Sequence, residues 1–247
     1  FNAGIGATCT AEGTFELDAS IMEGKDLSAG AVAGLKHVKH PINAAYAVKT
    51  KSPHVMLSGA GAEEFAKEQG LEMVEDNMYF ATPKTMEWIE KLKQESKKNG
   101  TVGCVVLDKQ GNLTAGTSTG GMFKKRWGRI GDSPVIGAGT YADNNSCAVS
   151  CTGHGEYFIR HAVAFDVCAR YKYLKESVEK AADYIIHTEL NTNAGNGGLI
   201  AVDKLGNIAM PYNSGGMFRG FLYKEKGRPE IKKGCGIGKK IVVVGEK

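Results

Sequence analysis

The stretch "GTVGCVVLDKQGNLTAGTSTGG" (residues 100–121) carries the clearest structural signal in the chain. An apolar run, four turn residues ("KQGN") and a second strand-like run follow one another, which predicts a β-hairpin. Thr101 stands at the very start of the first strand, directly after Gly100. A threonine here is either an ordinary strand residue or a residue that becomes a new chain end.

The same pattern occurs twice in the chain. Residues 104–123 align with residues 199–218 at a shift of 95 residues, and both share D-K-x-G-N followed by Gly-Gly-Met-Phe. Good turn chemistry alone explains D-K-x-G-N, because Gly and Asn accept positive φ. Turn chemistry does not explain why both stretches also end in Gly-Gly-Met-Phe. We therefore interpret the pair as two equivalent hairpins in one layered structure.

The other elements follow from apolar spacing and capping residues. We expect a strand with Phe15, Leu17, Ala19 and Ile21 on one face, a Gly/Ala-rich turn from residue 28, and a short strand at 54–59. Helices are predicted at 42–50, 61–70, 82–98, 156–174 and 176–190, with Thr82 as a cap of the third. Sheets packed face to face with helices outside fit this order.

Composition describes a globular chain and excludes several functions. The 247 residues are 42% hydrophobic and 23% charged, and the net charge of +4 is spread without interleaved aromatics, so we expect no nucleic-acid partner. No apolar run approaches the roughly 18 residues of a membrane span, so we expect no membrane partner. The six cysteines lack C-x-x-C spacing and no histidine has metal-ligand spacing, so we expect no metal.

Threonine beside glycine is the pattern that could carry chemistry. It occurs at Gly100-Thr101, in "TSTGG" (117–121) and in "CTGHG" (151–155). A threonine hydroxyl is a poor nucleophile unless a base takes its proton. If the Gly100–Thr101 bond is cut, Thr101 gains an α-amine with a pKa of about 7.7–8.0, which can act as that base. The glycine loop would offer N–H groups to an oxyanion.

Arg129 and Asp132 lie three residues apart in a loop. They could bind the carboxylate and the ammonium of an amino acid, since Arg suits a planar carboxylate. Spacing alone favours the other interpretation, a surface ion pair in a loop, which contributes little.

Five stretches resemble the isoaspartyl peptidase/L-asparaginase family, the plant-type asparaginases among the N-terminal nucleophile (Ntn) hydrolases. They are "FNAGIGATCTAEGTFELDASIM", "AGAVAGLKHVKHPINAA", "NGTVGCVVLDKQGNLTAGTSTGGM", "GRIGDSPVIGAGTYADN" and "SCTGHGEYFIRHAVA", and the likeness runs from residue 1 to about residue 220. The resemblance implies an α+β fold, a four-layer αββα sandwich in a single domain (1–247). It also implies self-cleavage at Gly100–Thr101 into an α-subunit portion (1–100) and a β-subunit (101–247).

The resemblance also implies a role for each site residue. Thr101 would be the nucleophile, first toward its own preceding carbonyl and then toward β-aspartyl dipeptides and L-asparagine, releasing L-aspartate. Thr119 would tune Thr101, and Asn2 would line the nucleophile from the α-side. Thr152 and the N–H of Gly153 would form the oxyanion hole, while substrate would be held by Arg129, Asp132 and Gly155.

Three further expectations concern the setting of the enzyme. The family's first strand and sodium-binding loop would lie mostly upstream of residue 1, so we expect no cofactor here and a sandwich that lacks its N-terminal strand. A dimer of αβ units in the cytoplasm is expected. The alternatives are a glycosylasparaginase, which shares the fold and the threonine, or a truncated inactive homologue.

Overall fold

The computed structural model describes residues 1–90, 100–224, 231–236 and 241–244. Its strands are β1 Leu17–Glu23, β2 Ala29–Leu35, β3 Met56–Ser58, β4 Val102–Leu107, β5 Leu113–Thr119, β6 Thr140–Ala142, β7 Cys147–Gly153, β8 Gly197–Asp203, β9 Ile208–Ala209, β10 Arg219–Lys224, β11 Ile231–Gly236 and β12 Ile241–Val244. Its helices are α1 Pro41–Lys51, α2 Gly59–Glu68, α3 Pro83–Glu90, α4 Gly155–Arg160, α5 Val163–Leu174, α6 Val178–Tyr184 and α7 Leu190–Thr192. The class is therefore α+β.

The strands form two sheets that pack against each other. The larger sheet has the order β11-β10-β12-β4-β5-β1-β2-β3, and the smaller has the order β6-β7-β8-β9. One buried cluster joins Met22, Val105 and Ala115 of the larger sheet to Ala148 and Val202 of the smaller. The inner faces of the sheets thus meet in a common apolar core.

Helices cover the outer face of each sheet. On the larger sheet, Leu17 and Val32 pack with Ala44 of α1 and Ala62 of α2. On the smaller sheet a second cluster joins β7 and β8 to residues of α4, α5 and α6. Since β1 and β5 lie in the middle of the larger sheet, their residues are buried or half-buried on both faces.

The two predicted hairpins are confirmed, one in each sheet. Asp108 accepts hydrogen bonds from the N–H groups of residues 110 and 112, and Asp203 accepts them from residues 205 and 207. Gly111 and Gly206 both have φ of 85°. The likeness ends beyond the turns, because β5 runs on to Thr119 whereas β9 is only Ile208–Ala209.

The predicted turn from residue 28 is wrong for its first part, because residues 29–35 form β2, paired antiparallel with β1. Glycine and alanine occur here because α1 packs very close: a methyl group on Gly30 would overlap the carbonyl of Ala45. The small side chains in this strand therefore result from the close packing of a helix on the sheet and do not indicate a turn.

The single helix predicted at 156–174 is also wrong, because it is broken into α4 and α5. Ala162, between them, has a left-handed φ of 45°. The N–H groups of Ala164 and Phe165 donate to the carbonyls of Ala138 and Gly137 instead of continuing the helix. The loop before β6 therefore takes the hydrogen bonds that an unbroken helix would have used.

The helix predicted at 82–98 begins as expected. Thr82 Oγ1 accepts from the N–H of Thr85 at 3.1 Å, and Pro83 is the first residue of α3. Residues 91–98 lie outside the described residues.

Candidate active site

Thr101 and Thr119 meet at the end of the two central strands. β4 pairs antiparallel with β5 and places Val102 opposite Ser118, so Thr101 stands next to Thr119. Thr101 Oγ1 donates to Thr119 Oγ1 at 3.2 Å, and Thr119 Oγ1 also accepts from the N–H of Gly121 at 3.0 Å. Thr119 is buried while Thr101 is half-buried. The hydroxyl predicted to attack is thus reachable and is held by a fixed neighbour.

Asn2 links the start of the chain to the predicted cut site. Its N–H donates to the carbonyl of Gly100 at 3.1 Å, and its carbonyl accepts from Gly120 at 3.0 Å. Its side-chain Nδ2 donates to the carbonyl of Gly121 at 2.7 Å, while Oδ1 accepts from the N–H of Thr8 at 2.7 Å. All hydrogen-bonding groups of this buried residue are used, so the backbone around the Gly100–Thr101 bond is firmly placed.

Arg129, Asp132 and Gly155 converge at one point. A methyl group built on Gly155 would lie 2.9 Å from Arg129 Nη2 and 2.9 Å from Asp132 Oδ1. Glycine is therefore the residue type that leaves room for both charged groups beside the backbone at position 155. A guanidinium and a carboxylate next to an open backbone can bind the two charges of an amino-acid zwitterion.

Glu156 is a site residue that the sequence analysis missed. Its carboxylate accepts from Arg129 Nε and Nη2, both at 2.9 Å. The hydrogen bond from Arg129 lowers the pKa of Glu156 below its usual range. Its place directly after Gly155 in the "TGHGE" loop was the available signal. The Arg129 atom next to Gly155, Nη2, is thus the same atom that donates to Glu156.

Thr152 and Gly153 end β7 in the opposite sheet. Ser150, two residues before Thr152, shares a 2.7 Å contact between hydroxyls with Thr117, two residues before Thr119. Alternation along a strand puts Thr152 on the same face as Ser150, toward the larger sheet. Gly153 pairs with Gly197, and a methyl group on Gly153 would come within 2.7 Å of the Cα of Gly197.

A buried ion pair next to Thr119 was also missed. Asp18 of β1 is fully buried and stands directly opposite Thr119 in the register between β1 and β5. Lys125 Nζ lies 3.8 Å from Asp18 Oδ2 and donates to the carbonyl of Glu16 at 2.9 Å. Burial raises the pKa of Asp18 and lowers that of Lys125, and each charge offsets part of the other's shift. The alternating pattern of residues 15–21 points to one apolar face and gives no sign that the other face is buried as well.

Residues 1–90, 100–224, 231–236 and 241–244 contain neither a metal site nor a membrane-spanning helix. Among those residues, no group of three His, Cys, Asp or Glu side chains could hold a metal ion. No helix within the same ranges is long and apolar enough to cross a membrane.

The comparisons with known proteins assign the chain to a class. The family model described as asparaginase matches residues 1–230, and the chain belongs to that family, whose fold is that of the Ntn hydrolases.

Curated relatives match most of the chain. It is 49% identical over 237 residues to the isoaspartyl peptidase of Salmonella typhimurium, covering 90% of this chain and 75% of the relative. It is 45% identical over 250 residues to the isoaspartyl peptidase of Escherichia coli, covering 92% and 78%. It is 41% identical over 225 residues to the isoaspartyl peptidase/L-asparaginase of Homo sapiens, covering 88% and 72%.

Proposed function

We propose that this chain is a self-cleaving threonine amidohydrolase that splits β-aspartyl dipeptides and L-asparagine and releases L-aspartate. The observation that carries the proposal is the 3.2 Å hydrogen bond from Thr101 to Thr119 at the first residue after Gly100. The names of the relatives, isoaspartyl peptidase and isoaspartyl peptidase/L-asparaginase, support the same substrates. Neither the described residues nor the relatives offer a feature that favours a glycosylasparaginase or an inactive homologue.

The chemistry begins with the cut of the Gly100–Thr101 bond, which gives Thr101 a free α-amine. That amine takes the hydroxyl proton of Thr101, and Oγ1 attacks the side-chain amide or isopeptide carbonyl of the substrate. The leaving amine takes the proton, and an aspartyl ester on Thr101 remains. Water then hydrolyses the ester to free L-aspartate. This mechanism needs no cofactor.

The remaining residues bind charge. Thr152 Oγ1 and the N–H of Gly153 stabilise the oxyanion at the substrate carbonyl. Arg129 binds the α-carboxylate, while Asp132 and the carbonyl of Gly155 bind the α-ammonium. A free asparagine and an N-terminal β-aspartyl residue both present this carboxylate–ammonium pair beside the bond to be cut. A normal α-linked aspartyl residue does not, because its α-carboxylate is part of the peptide bond.

We propose further that the two sheets and their helices form a four-layer αββα sandwich, and that the cut divides it into residues 1–100 and 101–247. The three apolar clusters, one between the sheets and one outside each, support the layering. A dimer of αβ units and a cytoplasmic location complete the proposal. Sedimentation equilibrium and cell fractionation test these two points.

Intact-mass spectrometry of denatured protein is the first test. Two species that divide between Gly100 and Thr101 are expected, and hydrolysis of β-Asp-Leu should then exceed that of the α-linked Asp-Leu by at least about 100-fold, because the latter lacks the free α-carboxylate. A Thr101→Ala variant is the matched control and should stay uncut. A cut parent that hydrolyses neither β-Asp-Leu nor asparagine would contradict the proposed substrates.

A further inference from the structure

The cut itself needs a base that the mature enzyme does not. Before the cut, the nitrogen of Thr101 belongs to the peptide bond with Gly100, and an amide nitrogen does not accept a proton at neutral pH. The α-amine that serves the mature enzyme is therefore missing at the first reaction. Some other group must take the hydroxyl proton of Thr101.

Thr119 receives hydrogen bonds but has its own hydrogen to give. Its Oγ1 accepts from Thr101 Oγ1 and from the N–H of Gly121. A hydroxyl has two acceptor positions and one donor, so both acceptor positions are used. A proton arriving from Thr101 can stay on Thr119 only if the hydrogen that Thr119 already carries moves on.

Asp18 occupies the position where that hydrogen can go. It lies directly opposite Thr119 on the neighbouring strand, which places the two Cβ atoms about 4.5–5.5 Å apart with both side chains on one face. Its Oδ1 accepts from the N–H of Gly34 at 2.8 Å, where the pairing of β1 with β2 is interrupted by a bulge. Its Oδ2 has no hydrogen-bond partner among the described residues. A fully buried carboxylate oxygen without a hydrogen-bond donor therefore belongs to the residue directly opposite Thr119.

Burial and the neighbouring charge of Lys125 act on this carboxylate in opposite directions. Lys125 Nζ, 3.8 Å from Oδ2, favours the ionised form. Burial nevertheless raises the pKa of Asp18 above the ordinary aspartate value, so that it accepts a proton more readily than an exposed carboxylate does.

We propose that Asp18 is the proton acceptor for self-cleavage and acts through Thr119 across one bridging water molecule, since Asp18 Oδ2 accepts no direct hydrogen bond from any described residue. Thr101 Oγ1 bonds to the carbonyl carbon of Gly100, its proton passes to Thr119, and the proton of Thr119 passes to Asp18. The Asn2 N–H that donates to the Gly100 carbonyl stabilises the negative oxygen. The C–N bond then breaks, the nitrogen of Thr101 takes the proton back from Asp18, and water hydrolyses the resulting ester.

Asp18 does not touch the reacting atoms and is in that sense a positioning residue. Its role in self-cleavage rests on the proposed function. It separates two steps that use the same threonine. Asp18 is required while the amine is blocked, and it becomes dispensable once the amine is free.

The test compares the rate of self-cleavage in Asp18→Asn, in the parent and in Asp203→Asn by intact mass. Asp203 is an equally buried carboxylate at the end of β8 in the smaller sheet, whereas Thr101 precedes β4 of the larger sheet. Loss of a positioned base typically costs about 10²–10⁴-fold, so the Asp18 variant should stay largely uncut while the Asp203 variant is cut at the parental rate. The double variant Asp18→Asn with Lys125→Met, which leaves no lone buried charge, should be equally slow.

Two further readouts separate a role in proton transfer from a role in folding. In the fraction of Asp18→Asn that does become cut, kcat and KM for β-Asp-Leu should be close to the parental values. Hydroxylamine, which opens esters, should not restore the cut, because the ester never forms.

Parental cutting by the double variant, rescue by hydroxylamine, or loss of activity in the cut fraction would each overturn the role of Asp18. A parent chain that stays intact would overturn the proposed function as well.

Discussion

Replacing Gly155 by alanine tests how the substrate's ammonium and carboxylate are bound. The added methyl group would lie 2.9 Å from Arg129 Nη2 and Asp132 Oδ1, and 3.0 Å from the backbone nitrogen of Asp132. Distances under 3 Å between such atoms do not persist, so the ends of both charged side chains must shift. The space beside the Gly155 backbone, where we place the substrate's ammonium, is filled at the same time.

The expected effect is a loss of binding without a loss of chemistry. One hydrogen bond to a charged group contributes about 1.5–3 kcal/mol, and each 1.4 kcal/mol is a factor of ten. The KM for β-Asp-Leu should therefore rise about 10- to 100-fold, while kcat changes several-fold at most. Self-cleavage should continue at the parental rate, because the atoms around the methyl group belong to the substrate site and not to Thr101.

Steady-state kinetics on fully cut protein measures this, with Gly61→Ala as the matched control. Gly61 lies in α2 and has open space around its Cβ position, so its substitution should leave KM unchanged. An unchanged KM in Gly155→Ala would refute the placement of the ammonium. An equal loss of self-cleavage would show that the substitution disturbs the fold rather than the substrate site.

Three other substitutions test the contacts of Thr119, Gly153 and Lys125. Thr119→Val removes the oxygen that accepts from Thr101 and should lower kcat by about 10²-fold or more with little change in KM. Thr114→Val, on the other face of β5, is the control. Equal kinetics in both variants would contradict the role of Thr119 in tuning Thr101. Gly153→Ala forces a methyl group against the chain entering β8 and should lower the free energy of unfolding by about 1–3 kcal/mol in urea titrations, whereas parental stability would mean that the close pairing is wrong. Lys125→Met leaves Asp18 as a lone buried carboxylate and should cost about 3–5 kcal/mol near neutral pH. The folded pKa of Asp18 is raised from 3.8, so its protonated form stabilises the fold below that value and the benefit is lost as pH rises through the folded pKa. Removing Lys125 raises that pKa further, so the loss should shrink as the pH of the urea titration falls to about 4, and an equal loss at both pH values would argue against the pair.

The local patterns could be predicted where one interaction decides the structure. The D-K-x-G-N turns fold as expected, because Gly111 and Gly206 supply the positive φ and the aspartates accept the turn N–H groups. Pro83 and Thr82 likewise set the start of α3. Such features depend on residues next to each other in the chain.

Features that depend on packing could not be predicted in the same way. The small residues of β2 look like a turn in the sequence. They are small because the carbonyl of Ala45, which is distant in the chain, packs against Gly30. Asp18 looks like the exposed face of an alternating strand until β1 is placed in the middle of a sheet covered on both sides. Of the site, Thr101, Arg129 and Asp132 could be proposed from the family resemblance, but Glu156 and Asp18 required the contacts of the folded chain.

The order of strands in the larger sheet also determines how many molecules take part in the unfolding and refolding of the cut protein. β4 and β5 follow Thr101 and lie directly beside β1 and β2, which precede Gly100. A cut at Gly100–Thr101 therefore leaves two polypeptides that share one sheet and cannot separate without breaking the pairing between β1 and β5. The uncut chain unfolds and refolds as one molecule, whereas the cut form must reassemble from two. Its melting temperature would then rise with protein concentration, as in an obligate heterodimer.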